Sequence, residues 1–536
     1  MSTRTNFRPR LAPQRWRALV LGAAFAVGTA ASAAVAQDLL VGVRGGPESI
    51  DPHFSSLTTT ASAMKHIFDT LVWAGPDQSP EPGLAESWKP IDDTTWEFQL
   101  RPGVLFHDGT PFTAADVKFS IERVPGATGP ASNAIYVQQI ASVEIVNDHT
   151  VRFRTHTPSA TLPLNLVRVF IVSKAASQNA RIEDFNSGRA AIGTGPFRFV
   201  SWTPRADLIL ERFDRHWRGP APWQRVVYRE VSNDAARVAA LLAGDLHIIG
   251  HVPPANIETL QRNPAISIFA GASAFNFLLF PDQRETTPMV RGTDGRPLER
   301  NPLRDARVRE ALSLAINREG IAERTMDGAG VVANQMVPPG IFGFSERIGR
   351  PAHDPARAQQ LLREAGYPNG FQVTLHCTSD RLPNDGKVCE ALGQMFTRIG
   401  IRTTVEAIPR AVFFTRRAAG DLSLFMHGWG TVTGESSQVL GALVLTDDRN
   451  TGYGSWNRIG YSNPAVDRLI IEGVRTLDDA KRARMFEQAM ETVIADNAVI
   501  PVTNLKAIWA ARADRIATYT PRSDEDTLAY FVVPKR

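Results

Sequence analysis

The chain has 536 residues, of which 43% are hydrophobic, and a formal net charge of +4. Five arginines and no acidic residue lie within the first 36 positions, so the rest of the chain carries a net charge of about 4 − 5 = −1. This balance gives no indication of nucleic-acid binding, which needs clustered positive charge. A chain of this length can bury a large core, and we expect two or more domains.

The first 36 residues have the order of a secretory signal peptide. Five arginines precede the uncharged stretch ALVLGAAFAVGTAASAAV (18–35), and AVA (34–36) places small residues before Gln37. We therefore expect cleavage after Ala36 and a periplasmic protein. The alternative is a retained membrane anchor, because 18 apolar residues is about the shortest span of a bilayer. Alanine and glycine dominate the stretch, which favours cleavage, and the absence of a cysteine at the site argues against a lipid anchor.

Strand and helix patterns alternate along the rest of the chain, which predicts a mixed α/β protein. Helix starts are indicated by Thr113, Asn233 and Asp354, and helix ends by Gly244 and Gly366. In chain order, the patterns predict a strand over 93–100, a helix over 112–124, a hairpin over 143–155, helices over 233–245 and 354–370, a helix followed by a strand over 384–408, and amphipathic helices over 463–474 and 477–500.

The chain contains two cysteines, Cys377 and Cys389, which are 12 residues apart. In an exported protein such a pair most simply forms one disulfide, and free thiols are the alternative. Two thiols without nearby histidines are too few for a metal site.

Several motifs of catalysis and cofactor binding are absent. The sequence has no phosphate-binding loop with its lysine and no nucleophile elbow, and the glycine-rich GWGTVTG (428–434) lacks a lysine too. His247 and His251 have the spacing of a zinc-binding helix, but the β-branched HIIGH (247–251) predicts a strand, on which they lie roughly 13 Å apart. We therefore expect no catalytic residue, no metal and no cofactor.

One block is more specific than these patterns. LAESWKPIDDTTWEFQLRPGVLFHDGTPFTAADVKFSIERV (84–124) closely resembles the signature region of family 5 extracellular solute-binding proteins. These are the periplasmic receptors of peptide, nickel and opine ABC importers. The resemblance continues, in order, through 193–219, 234–249, 302–326 and 460–470 to the IPVTNLKAIWAAR segment near the carboxyl end, so it covers essentially the whole chain after the signal peptide.

The resemblance implies an α/β type II periplasmic-binding-protein fold with three lobes, a hinge and an interlobe ligand cleft. Hinge strands are expected near 275–280 and 500–506. The protein would act as a monomer, binding a small molecule or peptide without chemistry, and its closed form would dock on an ABC permease in the inner membrane. The implied segments are 37–76, 191–279 and 506–536 for lobe I, 77–190 for lobe II and 280–505 for lobe III.

The resemblance also places ligand-pocket segments on the sequence. HGWGTVTGESS (427–437) supplies Trp429 as an aromatic wall, Glu435 as the one acid, and His427. The loop 51–66 supplies the hydroxyls of Thr58, Thr59 and Thr60, and PRAVFFTR (409–416) supplies Arg410, Phe413 and Phe414. Core packing is the alternative role for Trp429, Phe413, Phe414 and His427. For Glu435 the alternative is a solvent-exposed cap of the helix that follows.

One position departs from the family pattern. Peptide receptors commonly carry an aspartate three residues after the tryptophan, which pairs with the ligand's ammonium, whereas this chain has Val432 there. Since a buried ammonium without a partner is costly, an ordinary dipeptide is not expected unless Glu435 takes over the pairing. The leading hypothesis is an importer receptor for a peptide or similar amine-bearing solute. The alternatives are a receptor that presents ligand to a chemosensory membrane protein and an exported hydrolase.

Overall fold

The computed structural model describes residues 38–127, 129, 133–448 and 453–535. The predicted signal peptide and its cleavage site lie outside these ranges. Within them, no helix combines the length and the apolar character needed to cross a bilayer.

The strands of the described residues are β1 (Asp38–Val43), β2 (Val72–Ala74), β3 (Pro80–Pro82), β4 (Ala85–Asp92), β5 (Thr95–Leu100), β6 (Ile140–Asn147), β7 (Thr150–Thr155), β8 (Phe197–Trp202), β9 (Asp207–Arg212), β10 (Arg225–Glu230), β11 (Ile248–Ile249), β12 (Ile266–Pro281), β13 (Val290–Arg291), β14 (Gly330–Val332), β15 (Gln372–Thr378), β16 (Arg402–Ile408), β17 (Leu424–Gly430), β18 (Ile500–Arg512), β19 (Ile516–Tyr519) and β20 (Val532–Pro534).

The α-helices are α1 (Thr58–Met64), α2 (Ala114–Arg123), α3 (Leu162–Leu166), α4 (Lys174–Ser177), α5 (Ile182–Asn186), α6 (Asp234–Ala243), α7 (Ile257–Gln261), α8 (Ala306–Ala315), α9 (Arg318–Gly320), α10 (Pro355–Glu364), α11 (Asp385–Arg398), α12 (Arg410–Ala419), α13 (Ser437–Leu443), α14 (Pro464–Arg475) and α15 (Asp479–Ala495).

One sheet of 12 strands runs through most of the structure. Its order is β13-β15-β17-β12-β18-β11-β1-β10-β9-β8, with β14 paired to β18 and β16 to β15. The central strands β12 and β18 are long and antiparallel, from Ile266 opposite Arg512 to Leu279 opposite Ile500. A separate sheet has the order β4-β5-β7-β6.

The buried apolar side chains form three main cores. The first core uses residues from 39–68, 170–248 and 507–532. The second core uses residues from 71–171 and covers the four-stranded sheet. The third core combines two adjoining clusters from 277–505. Strands β12 and β18 pass from the neighbourhood of the first core into the third core. The lobe boundaries given in the sequence analysis stay a prediction.

Helix ends coincide with the local signals in the sequence. Thr113 and Asp116 form a reciprocal cap at the start of α2, and the Asn233 side chain accepts from the Ala236 N–H at the start of α6. Helix α6 ends at Gly244 with a φ of +89°, a conformation that glycine adopts without steric cost. The predicted helices and the 143–155 hairpin are confirmed, with ends shifted by a few residues.

The strand predicted at HIIGH is shorter than expected. Only Ile248 and Ile249 are extended and paired, and His251 has a φ of +53°, which turns the chain before Pro253. Within the described ranges, no three His, Cys, Asp or Glu side chains are grouped as a metal ion would need.

A disulfide joins β15 to α11 in the third core. Cys377 and Cys389 are fully buried, and their Cα atoms lie 6.2 Å apart. This separation is within the range that a disulfide spans. The bond fixes the loop 378–388, which follows the carboxyl end of β15.

Three buried histidines are held in the neutral form by their hydrogen bonds. In His53, His66 and His107, one ring nitrogen contacts a backbone carbonyl and the other lies against an N–H donor, so it must accept. Burial lowers the pKa of each imidazole from 6.5 to about 4. Protonation would remove the acceptor nitrogen and bury a charge.

We expect the free energy of unfolding to fall by about 2 kcal/mol per buried histidine between roughly pH 7 and pH 5. In this window the unfolded chain binds protons that the folded chain does not, so stability is lost as the pH decreases through 6.5. Urea unfolding at a series of pH values measures the slope. His66→Asn should reduce it, whereas His149→Asn, at an exposed position, should not. An equal slope in His66→Asn and the unmodified protein would contradict the assignment.

Candidate functional site

Three parallel strands of the third core end at one edge of the sheet. β15 is parallel to both β16 and β17, so the residues after their carboxyl ends lie near one another. Arg381 follows β15, Arg410 follows β16, and Trp429 lies at the end of β17. Ligands of open α/β sheets bind at such an edge, which makes it the candidate site.

Two arginines and three aromatic side chains pack together at this edge; we call Arg381, Phe414, Arg417, Trp429 and Trp456 the arginine–aromatic cluster. The Arg381 guanidinium lies 4.9 Å from the Phe414 ring centroid, and that of Arg417 lies 4.9 Å from the Trp456 ring. The Trp456 ring is 5.8 Å from that of Trp429 and 6.1 Å from that of Phe414, in edge-on geometry. Trp456 is 41% exposed, whereas Arg417 is buried, so the cluster reaches solvent through Trp456.

The cluster is positively charged. No carboxylate of the described residues lies within ion-pairing distance of the Arg381 or Arg417 guanidinium, and Arg417 donates to the Trp456 carbonyl. Burial lowers the pKa of Arg381 to about 10, with Arg410 contributing and the Asp385 charge opposing, and burial lowers the pKa of Arg417 to about 9, with Arg458 and Arg381 contributing. Like charges oppose one another here, and a negatively charged group would relieve this repulsion.

A row of polar side chains continues from the cluster across the sheet. Trp429, Asn276 and Asn504 lie opposite one another on β17, β12 and β18. The Trp429 Nε1, Asn276 Oδ1, Asn504 Oδ1 and Thr431 Oγ1 atoms are buried without a hydrogen-bond partner in the described part of the chain. Since buried polar atoms in proteins are nearly always paired, these atoms can serve a bound solute.

Glu435 is not exposed to solvent. Its side chain is buried, so the solvent-exposed alternative is wrong. Helix α13 begins after it, at Ser437. Its Oε2 lies 3.3 Å from Arg482 Nη2. Burial raises the pKa of Glu435, and the Arg482 charge opposes this rise. The protein itself therefore supplies a cation to Glu435, and pairing with a ligand ammonium stays a prediction.

The threonine loop forms the start of α1. The Thr60 side chain is fully buried, and its hydroxyl accepts from the Glu48 N–H at 3.2 Å. Thr58 and Thr59 are half-buried. Thr58 and Thr59 are therefore better placed than Thr60 to contact a solute.

Some of the pocket residues predicted in the 409–416 segment and at position 427 lie in the core, and others lie at the surface. His427 and Phe413 are fully buried, and the His427 ring stacks on Phe280 at 4.6 Å. Burial holds the pKa of His427 well below 6.5. Arg410 is exposed, and its backbone N–H donates to Asp380. Of these residues, Phe414 alone belongs to the arginine–aromatic cluster.

The family model described as bacterial extracellular solute-binding proteins, family 5 middle, matches residues 79–451. The chain belongs to this family. Family 5 proteins bind small ligands or peptides and work with an ABC permease.

Relatives cover nearly the whole chain. The glutathione-binding protein GsiB of Pectobacterium atrosepticum is 27% identical over 498 residues, 90% of this chain and 91% of its own. The periplasmic protein DppA of Helicobacter pylori, in complex with the peptide STSA, superposes with a TM-score of 0.74 at 24% identity, covering 93% of this chain and 98% of its own. AgaA of A. tumefaciens R10, in complex with agropinic acid, has a TM-score of 0.71 at 24% identity, covering 93% and 98%.

These comparisons confirm the fold class. The family 5 chain has the type II periplasmic-binding-protein fold. The residues that sequence reasoning missed are Arg381, Arg417, Trp456, Asn276 and Asn504. A signal was present for Asn276 alone, a polar residue within the apolar strand FNFLLF (275–280).

We expect Arg417→Met to leave the free energy of unfolding unchanged or to raise it by about 1–2 kcal/mol, because a buried cation without an acid costs desolvation energy. Arg309→Met is the matched control. Arg309 is also buried, but it donates to the carbonyls of Leu303, Arg304 and Asp496. Its loss should cost about 2 kcal/mol or more. Urea unfolding of both variants measures the difference, and equal destabilisation would contradict the interpretation of Arg417.

Proposed function

We propose that this protein is the monomeric periplasmic receptor of an ABC importer for a small solute that carries a carboxylate and polar amide-like groups. The arginine–aromatic cluster carries the proposal. Its two guanidinium groups and three aromatic rings lie at the sheet edge, and no carboxylate of the described residues is within ion-pairing distance of either guanidinium. A planar guanidinium pairs with a carboxylate through two parallel hydrogen bonds, and this pairing is strong where water is excluded.

The charges support an anionic group in place of the ammonium that the sequence first indicated. Val432 lacks the acid of peptide receptors, and Glu435 is paired with Arg482. Glutathione, the peptide STSA and agropinic acid, named for the relatives, each carry a carboxylate, and the first two also carry an ammonium, so the relatives' ligands agree with a carboxylate without excluding an ammonium. The unpartnered atoms of Trp429, Asn276, Asn504 and Thr431 provide donors and acceptors for the remaining polar groups of such a solute.

Mass spectrometry of solute retained by protein from its native periplasm identifies the ligand, and titration calorimetry with that solute and with reduced glutathione measures affinity. Arg381→Gln should cost roughly 2–5 kcal/mol of binding free energy, since it leaves the carboxylate without its partner. The control is Arg363→Gln, at an exposed position on α10, which should bind like the unmodified protein. A retained solute without an acidic group would contradict the proposal.

We also propose cleavage of the signal peptide after Ala36, on the basis of the order of basic, apolar and small residues. Amino-terminal sequencing of the periplasmic form should begin at Gln37. Retention of Met1 in that form would instead indicate a membrane anchor.

A further inference from the structure

The segment 431–436, which we call the ligand loop, follows Trp429 and contacts the second core region. Gly434 has a φ of +71°, and a Cβ atom built there would lie 2.4 Å from the Gln78 carbonyl oxygen. The adjacent Glu435 reaches the same region through Arg482. The ligand loop therefore lies against residues 77–190 directly at Gly434 and is linked to them through Arg482 at Glu435.

Arg482 is shared between the ligand loop and the second core region. Its Nη2 lies 3.3 Å from Glu435 Oε2, and its Nη1 donates to the Ala160 carbonyl at 3.3 Å. The guanidinium also lies 4.7 Å from the Phe342 ring centroid. The Arg482 side chain is 9% exposed and that of Glu435 is 1% exposed, so little solvent screens the pair.

The backbone of Phe342 holds the ligand loop on both sides of Glu435. The Phe342 N–H donates to Gly434 O, and the Ser436 N–H donates to Phe342 O. The ring on which Arg482 stacks therefore belongs to the residue that fixes the loop. A shift of the loop would disturb the Glu435–Arg482 ion pair, whose separation would leave a charge buried without compensation.

Ala160 is the point at which 77–190 docks on 280–505. Its N–H donates to the Val474 carbonyl at 2.9 Å, while its own carbonyl accepts from Arg482. Leu477, close to Val474, packs against the second core. Separation of the two regions breaks both Ala160 hydrogen bonds, whereas the Glu435–Arg482 pair lies entirely within 280–505.

We propose that Arg482 is a positioning residue for solute capture, which couples the order of the ligand loop to the docking of residues 77–190 onto 280–505 through Glu435 and Ala160. The role in capture rests on the proposed function. The coupling itself links two parts of the protein and can be measured without any solute. Glu435 then acts on the solute indirectly: it fixes Arg482, and Arg482 binds the Ala160 carbonyl of residues 77–190.

A cysteine pair at the docking point tests the coupling without any solute. In Ala160→Cys/Val474→Cys, the rate of disulfide formation with a mild oxidant reports the docked population; the native Cys377–Cys389 bond is fully buried. Adding Arg482→Gln or Glu435→Gln to this background should slow cross-linking about fivefold or more, the lower limit of a typical coupling energy. Gly434→Ala should also slow it, because the new Cβ atom meets Gln78.

Asp479→Asn is the matched control. Asp479 Oδ1 lies 2.9 Å from the same Arg482 Nη2, but its side chain is 76% exposed, so its charge contributes little and cross-linking should change less than about twofold. Circular dichroism and thermal unfolding check that each variant is folded, and Arg482→Met, which removes the charge and keeps the aliphatic stem, replaces Arg482→Gln if the latter does not fold. Unchanged cross-linking in both the Arg482 and Glu435 variants would overturn the coupling, whatever solute the protein binds.

Discussion

The site depends on the pairing of two long strands. β12 and β18 have 16 and 13 residues and stay paired while they pass from the neighbourhood of the first core into the third. Their register shifts between Ala272 and Asn276, where the ladder is irregular. A relative rotation of the cores is most easily absorbed where ladder hydrogen bonds are already missing. Asn276, at the end of this irregularity, lies opposite Asn504 on β18 and opposite Trp429 on β17, so the irregular part of the ladder adjoins the candidate site.

The distribution of charge explains which group the site favours. Glu435 Oε2 lies 3.3 Å from Arg482 Nη2, whereas Arg381 and Arg417 face aromatic rings, with no carboxylate of the described residues within ion-pairing distance of either guanidinium. An aromatic face gives a buried cation part of the electrostatic stabilisation that water would provide. Full compensation of its charge needs an anion. Two poorly compensated buried arginines lower stability, and under the proposed function this loss is the cost of binding an anionic solute.

The helix ends and the hairpin could be predicted because each depends on residues that are close together in the sequence. The fold class could be predicted because the family resemblance follows the chain in order. The caps at Thr113, Asn233 and Asp354 act within a few residues, and the family resemblance follows the order of the chain. The resemblance also indicated the segment containing Trp429, which the structure places at the sheet edge. It did not distinguish Phe414, in the arginine–aromatic cluster, from Phe413, in the core, because the helical turn that points one ring inward depends on what packs against α12.

The sequence by itself determined the elements, the family, the signal peptide as an expectation and the segments from which a pocket is drawn. Only the tertiary structure decided which side chains meet there. Glu435 and Arg482 are separated by 47 positions, and Asn276 and Asn504 by 228, yet each pair is adjacent in space. The proposed charge of the ligand rests on these pairings, since an acid that has an arginine partner and an arginine that has no acid partner cannot be told apart in a sequence. Only folding brings these partners together. Once the side chains are buried, the presence or absence of a partner for each charge decides the net charge of the candidate site.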